Sequence, residues 1–197
     1  MQVLLPDEPE IQDLLALMLL HDERRPARRD LSGGLLTLEM QDRRLWERTQ
    51  INRGQTLLVS VLALGSVRPY QVQAAISAVH GDAPDCARTN WGEICLHYAK
   101  LYDLQPSPIV ALNAAVARSF AEGPTAGLTA LDALAGAETL TAYQLFHMAL
   151  ADMLRRAGDR AGAHADYQTA YGLSENISER RFIASRISET APNTNTA

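Results

Sequence analysis

The chain has 197 residues and a mass of 21.6 kDa, 47% of its residues are hydrophobic and 21% charged, and its net charge is −5 with a pI near 5.5. That length buries a real core in one domain or a short array, and that composition excludes general disorder. The negative balance gives no basic footprint for nucleic acid, and the longest apolar run near the start, Leu14 to Leu20, is seven residues against the roughly 18 of a membrane span.

The run has no positively charged lead-in of a secretion signal. Cys86 and Cys95 form neither a disulfide framework nor a paired-cysteine metal site, so reduced thiols and a cytoplasmic location are expected. The spacing predicts helices nearly throughout, broken by Gly and Pro clusters. Ile11, Leu14, Leu15 and Met18 open the first helix, and Leu17, Leu19 and Leu20 widen its apolar surface until the helix reads as buried nearly all round. After Gly33-Gly34, "LLTLEM" alternates like a short extended piece. Gln41-Asp42-Arg43 then leads into a helix carrying Trp46, Ile51, Leu58 and Leu62, with a kink expected at Gly54.

Val72, Ala75, Ile76 and Val79 make the next stripe, "GDAP" at 81–84 ends it, and Trp91, Ile94, Cys95, Tyr98 and Leu101 make another. Ser107 is a good N-cap and Pro108 suits the first helical position, so a helix with Ile109, Leu112, Val116 and Phe120 starts there. "EGPTAG" leads into a helix over Ala126 to Leu134. Tyr143, Phe146, Leu150 and Leu154 follow, then a turn at Gly158-Asp159, then Ala163, Tyr167, Ala170 and Tyr171. A last helix holds Phe182, Ile183 and Ile187.

A small residue, an aromatic or apolar one four later and Ala or Leu three beyond is the tetratricopeptide spacing. Ala163, Tyr167 and Ala170 fit it best, Ala126, Ala130 and Ala133 form a weaker copy, and Ile94, Tyr98, Leu101 and Pro106 an earlier one, 32 and 37 residues apart against a usual period of about 34. The expected fold is all-α, with antiparallel helix pairs stacked as a tetratricopeptide-like right-handed array. Residues 1–190 form one helical-repeat domain (1–65 N-terminal helices, 66–190 repeat-like pairs) and 191–197 a disordered tail. The competing reading is a generic alanine-rich bundle. In either case a helix as poor in charge as 109–120 belongs among neighbours.

No phosphate loop, His-Glu-x-x-His pair or nucleophile elbow is present, so no catalytic residue, cofactor or metal site is expected. His97 and Cys95 fall on different helix faces. "HDERRPARR", His21 to Arg29, reads either as an anion or acidic-partner site or as a solvated helix end complementing the macrodipole. Trp46 and Trp91 read as core residues rather than ligand platforms.

Taken together, "PDEPEIQDLLALMLLHDERRPAR", "QDRRLW", "PYQVQAAISAVH", "SPIVALNAAVA", "EGPTAGLTALDAL" and "ADMLRRAG" resemble the C-terminal extension of a group of bacterial extracytoplasmic-function RNA polymerase sigma factors. The similarity covers about residues 4–190. The resemblance implies a regulatory, non-enzymatic protein-interaction role in transcription initiation. The implied partners are sigma regions of the same or another chain, core RNA polymerase, or both, and the chain has no DNA-binding sigma region of its own. A stand-alone tetratricopeptide-like adapter is the alternative, and a small-molecule sensor a third.

The polar residues inside these motifs are the candidate surface: His21, Arg25, Arg28, Asp42, Arg43, Tyr70, Gln71, His80 and Asn113. The chain departs from the family pattern at Arg68, at Arg88-Thr89-Asn90, and at Ala114 and Leu150, where the family carries arginine. Removing one charge of a buried pair costs roughly 3–5 kcal/mol, so the resemblance carries no ligand site to those last two positions.

Overall fold

The computed structural model describes residues 8–31, 33–134 and 136–192. Most of the expected 191–197 tail lies outside them. Among the described residues there are ten α-helices, two one-turn 3-10 helices and no strand. The chain divides into two compact units at Pro106 and Ser107, with residues 33–35 grouped with the second. No described helix is long and apolar enough to cross a membrane.

The first unit holds α1 (Pro9–Asp22), 3-10 turns at Arg25–Ala27 and Arg43–Leu45, α2 (Arg48–Leu62), α3 (Pro69–Asp82) and α4 (Trp91–Leu104). Three of these helices pack on one another in turn, and α4 packs on α3. Their directions follow from single contacts. Leu20 of α1 meets Gly54 of α2, while the Glu47 N–H, just before α2, donates to the Glu23 carbonyl just after α1, so these two helices are antiparallel. Asp13 pairs with Arg68 at the start of α3 and Glu23 lies against Gly81 near its end, so α1 and α3 run parallel. The core gathers Ala16, Leu20, Trp46, Ile51, Leu58 and Val61. Full burial of a side chain such as Leu20 contributes about 1.5–3 kcal/mol.

Several expectations change here. α1 is not buried all round, since Met18 is 52% exposed. Its buried stripe instead includes an acid, Asp13. Trp46 stands in extended backbone before α2 rather than on it. α2 runs unbroken through Gly54, where the missing side chain lets α1 approach: a Cβ there would sit 2.6 Å from Leu20 Cγ. "LLTLEM" is irregular, passing into a turn at 38–40.

The second unit holds α5 (Pro108–Ala121), α6 (Pro124–Asp132), α7 (Glu138–Thr141), α8 (Gln144–Ala157), α9 (Arg160–Leu173) and α10 (Ile177–Thr190). The helices pack as neighbours in sequence, α5 on α6, α6 on α8, α8 on α9 and α9 on α10. Local chemistry sets their ends. Ser107 Oγ accepts from the Val110 N–H at 3.1 Å with Pro108 in the first turn, and Asp159 accepts from the Gly162 N–H at 2.9 Å. Gly158 takes φ 92°, the left-handed conformation that ends α8 and reverses the chain into α9.

The stripe of Ala163, Tyr167 and Ala170 is buried as its spacing predicts, packing with Ala151 and Ile183. The weaker copy is shifted by one. Gly127 and Leu131 are the buried positions of α6, while Ala133 is exposed. A glycine is required because a Cβ on residue 127 would lie 2.8 Å from Met153 Sδ and 3.1 Å from the Ala115 carbonyl. On the clean helix α5 the buried residues are Leu112, Ala115, Ala117 and Ser119, so its small side chains set a close approach to α6.

Candidate functional site

The polar centre of the first unit is built around the end of α3. The last carbonyls of a helix lack intrahelical donors, and the C-terminal end of the macrodipole favours cations. Two arginines meet that need. Arg43, only 3% exposed, donates through Nη1 to the carbonyls of His80 at 2.8 Å and Ala83 at 3.1 Å, and through Nη2 to Thr89 Oγ1 at 2.9 Å. Arg48 Nη1 donates to the Gly81 carbonyl at 2.9 Å. Asp42 aims the turn that carries Arg43, accepting from the Arg44 N–H at 3.0 Å. The hydrogen bonds from Arg44 hold the Asp42 carboxyl down to about 2.

Aromatic rings wall the cluster. The Arg43 guanidinium lies 4.8 Å and that of Arg24 5.9 Å from the Trp46 ring, within cation–π range. His80 meets Trp91 edge to face at 5.1 Å, and Trp91 Nε1 donates to the Cys86 carbonyl. Burial, helped by Arg24, Arg43 and His21, pushes the His80 imidazole down to about 3, so it is neutral at physiological pH. Burial also raises the Tyr98 phenol.

Into this basic surround projects Glu23, fully buried. Burial pushes its carboxyl up to about 7 against the opposing pull of Arg24, Arg48 and Arg43, with Asp82 adding to the rise. Neither Glu23 oxygen has a hydrogen-bonding partner among the described residues, and neither do Arg24 Nε, Arg43 Nε, Trp46 Nε1 and His80 Nδ1. Native interiors leave few such atoms.

A second polar knot lies at the other end of the α1 and α3 pair. Arg68 Nε donates to Asp13 Oδ2 at 2.5 Å, and its Nη1 to the Ser66 carbonyl at 3.1 Å. Gln71 is 1% exposed, and neither of its amide atoms has a partner among the described residues.

The candidate residues therefore separate. Arg43 and His80 meet in the first cluster, and Gln71 is buried in the first turn of α3, three residues after Arg68. Arg28 donates to the His21 carbonyl at 2.6 Å at the end of α1, and both residues are exposed, while Glu23 in the same stretch is fully buried. Arg25 and Tyr70 are exposed, and Asn113 lies on an exposed position of α5 in the second unit. Arg48 and Asp13 escape the sequence reading, Glu23 and Arg24 enter it only as part of the His21 to Arg29 stretch, and Arg68 only as a departure from the resemblance. A signal for the acids existed: Asp13, Ala16, Leu20 and Glu23, spaced three, four and three, form one buried helical stripe.

Several residues at which the sequence departs from its resemblance have local uses. Arg68 neutralises Asp13, Thr89 receives Arg43, and Asn90 caps α4 by accepting from the Glu93 N–H at 3.2 Å. Arg88 pairs with Asp85, and Leu150 packs in the apolar core of the second unit. Among the described residues no group of three or more His, Cys, Asp or Glu side chains is placed to hold a metal ion.

Residues 1–62, which carry Asp13, Glu23, Arg24, Arg43, Trp46 and Arg48, match a family of unknown function (DUF6596). Over 188 residues, 95% of its length, the chain is 39% identical to an uncharacterized protein of Rhizobium meliloti (strain 1021). The chain spans 44% of that relative, which is accordingly the longer protein. No solved structure matches.

Proposed function

We propose that the chain is the regulatory protein-interaction module of an extracytoplasmic-function sigma factor, acting in the cytoplasm on transcription initiation by contact rather than catalysis. Its partners are sigma regions of the same or another chain, core RNA polymerase, or both. One observation carries the reading: sequence alike over nearly the whole chain occupies under half of a longer relative. That is the arrangement of a helical module joined to a further functional part. The motif resemblance says what that part is, and the paired-helix architecture fits a contact surface.

The test is a pull-down with the purified chain, using as baits core polymerase and the portion of the Rhizobium relative that lies outside the match. Saturable retention of either bait is expected. Retention of neither defeats the reading.

The α8 and α9 pair favours a second reading, a stand-alone tetratricopeptide-like adapter. Ala163, Tyr167 and Ala170 occupy the buried positions of that repeat, and Gly158 makes its turn. Saturable binding to a peptide array, together with failure of the pull-down, selects this reading. An array without saturable binding removes it.

A further inference from the structure

Glu23 stands where three helices meet. Its carbonyl, just past the end of α1, accepts from the Glu47 N–H at 3.0 Å just before α2 begins. Its carboxylate lies against α3, where a Cβ on Gly81 would sit 3.5 and 3.8 Å from the two oxygens and 3.3 Å from Ile51 Cγ2 of α2. The junction is tight, and the carboxyl group is inside it.

Charged groups face that carboxyl from every element packed around it. Arg24 follows α1, Arg43 comes from the 3-10 turn, Arg48 from α2 and Asp82 from α3, with the neutral His80 beyond. None of the three arginines donates a hydrogen bond to Glu23, and Arg43 and Arg48 direct their Nη donors to the end of α3 and to Thr89. An ionised Glu23 therefore receives attraction at a distance but no hydrogen bond. Buried charge without hydrogen bonds is unfavourable, and protonation removes the charge.

We propose that Glu23 is a proton-controlled latch: protonated, it holds the end of α1 against α2 and α3, and ionised, it loosens that junction. The carboxyl, raised to about 7, changes state in the neutral range, whereas the buried imidazole of His80 is neutral throughout it. The packed junction binds the proton more tightly than the open one. Its contribution is thus full below the ordinary value of 4.5, declines as pH rises, and is gone above about 7. The interval corresponds to a shift of roughly 300-fold in the balance between packed and loosened forms. No step depends on the partner, so the latch stands apart from the functional reading above.

The experiment uses the full chain and its Glu23→Gln variant, which keeps the shape of the protonated acid. Carbon-detected titration of the glutamate carboxyls from pH 4.5 to 9 is expected to show one midpoint near 7 that is missing in E23Q. Hydrogen exchange around Leu19–Arg28 and Glu47 is then followed from pH 5.5 to 8.5 and corrected for intrinsic amide chemistry. It is expected to accelerate by tens of fold or more in the wild type and to stay level in the variant. A Glu23 midpoint below pH 5, or corrected exchange with the same pH dependence in both proteins, overturns the latch. If E23Q fails to fold, the wild-type titration, assigned through the backbone, still decides.

Discussion

The first unit closes its helices over two carboxylates, a guanidinium, an imidazole and an amide, whereas the second closes over alanines, one glycine, a few large apolar side chains and the short hydroxyls of Ser119, Ser174 and Thr190. Of the thirteen buried polar side-chain atoms without a partner among the described residues, Arg155 Nε alone lies in the second unit. Such an atom costs about 1–3 kcal/mol, so the first unit carries a load that helix packing by itself does not require. The second devotes its sequence to close approach between helices. One chain thus contains a polar, charge-sensitive assembly and a repeat-like scaffold, and substitutions in the two should fail in different ways.

The largest effect is expected at the polar centre. Arg43→Ala strands the His80 and Ala83 carbonyls and Thr89 Oγ1 and should remove about 3–5 kcal/mol of stability in urea titration. A loss under about 1 kcal/mol would mean that the first unit tolerates polar disorder, and the contrast with the second would collapse. In the second unit the matching test is steric. Gly127→Val forces a branched side chain toward Met153 Sδ and the Ala115 carbonyl, and about 2–3 kcal/mol should be lost.

Proton dependence sharpens the contrast further. Between pH 5.5 and 8.5 the wild type should lose about 2 kcal/mol through ionisation of Glu23, measured by denaturation at each pH, and Glu23→Gln should remove that slope. Smaller still is the cap of α9. Asp159→Ala should cost about 1 kcal/mol, read as a drop in thermal midpoint. The exposed Arg118 and Glu122 pair sets the floor: Arg118→Ala should change stability by less than about 0.5 kcal/mol, and a larger loss would reveal a role for Arg118 beyond its exposed pair.

Elements governed by neighbours in sequence are legible in the sequence directly. Ser107-Pro108 and Gly158-Asp159 state helix boundaries in their own chemistry, and the Ala163, Tyr167 and Ala170 spacing states a buried face. Trp46 misleads because an aromatic in phase with a helical stripe looks the same in sequence whether it stands on that helix or just ahead of it. The α6 register slips because Ala126, Ala130 and Ala133 and the pair Gly127 and Leu131 are both small-residue patterns, and the neighbouring Met153 and Ala115 select between them. The four-residue α7 leaves no trace in the pattern, being too short to show a period.

The candidate site is legible only in part. Arg43, Gln71 and His80 stand out as polar residues inside motifs, but the acids that complete the two polar groupings do not, because carboxylates are ordinarily at the surface. Their burial depends on partners far along the chain: Asp13 is neutralised by Arg68, and Glu23 is surrounded by Arg43 and Arg48 and pressed against Gly81.

By itself, then, the sequence determined the all-helical class, most helix boundaries and the best repeat-like face, because hydrogen bonding within a helix and its caps involve residues a few positions apart. Only the tertiary structure decided which acids are buried, which arginines cap α3 and where the chain divides. Those outcomes depend on electrostatic and steric neighbours brought together from distant segments, and no local pattern encodes the distance between them.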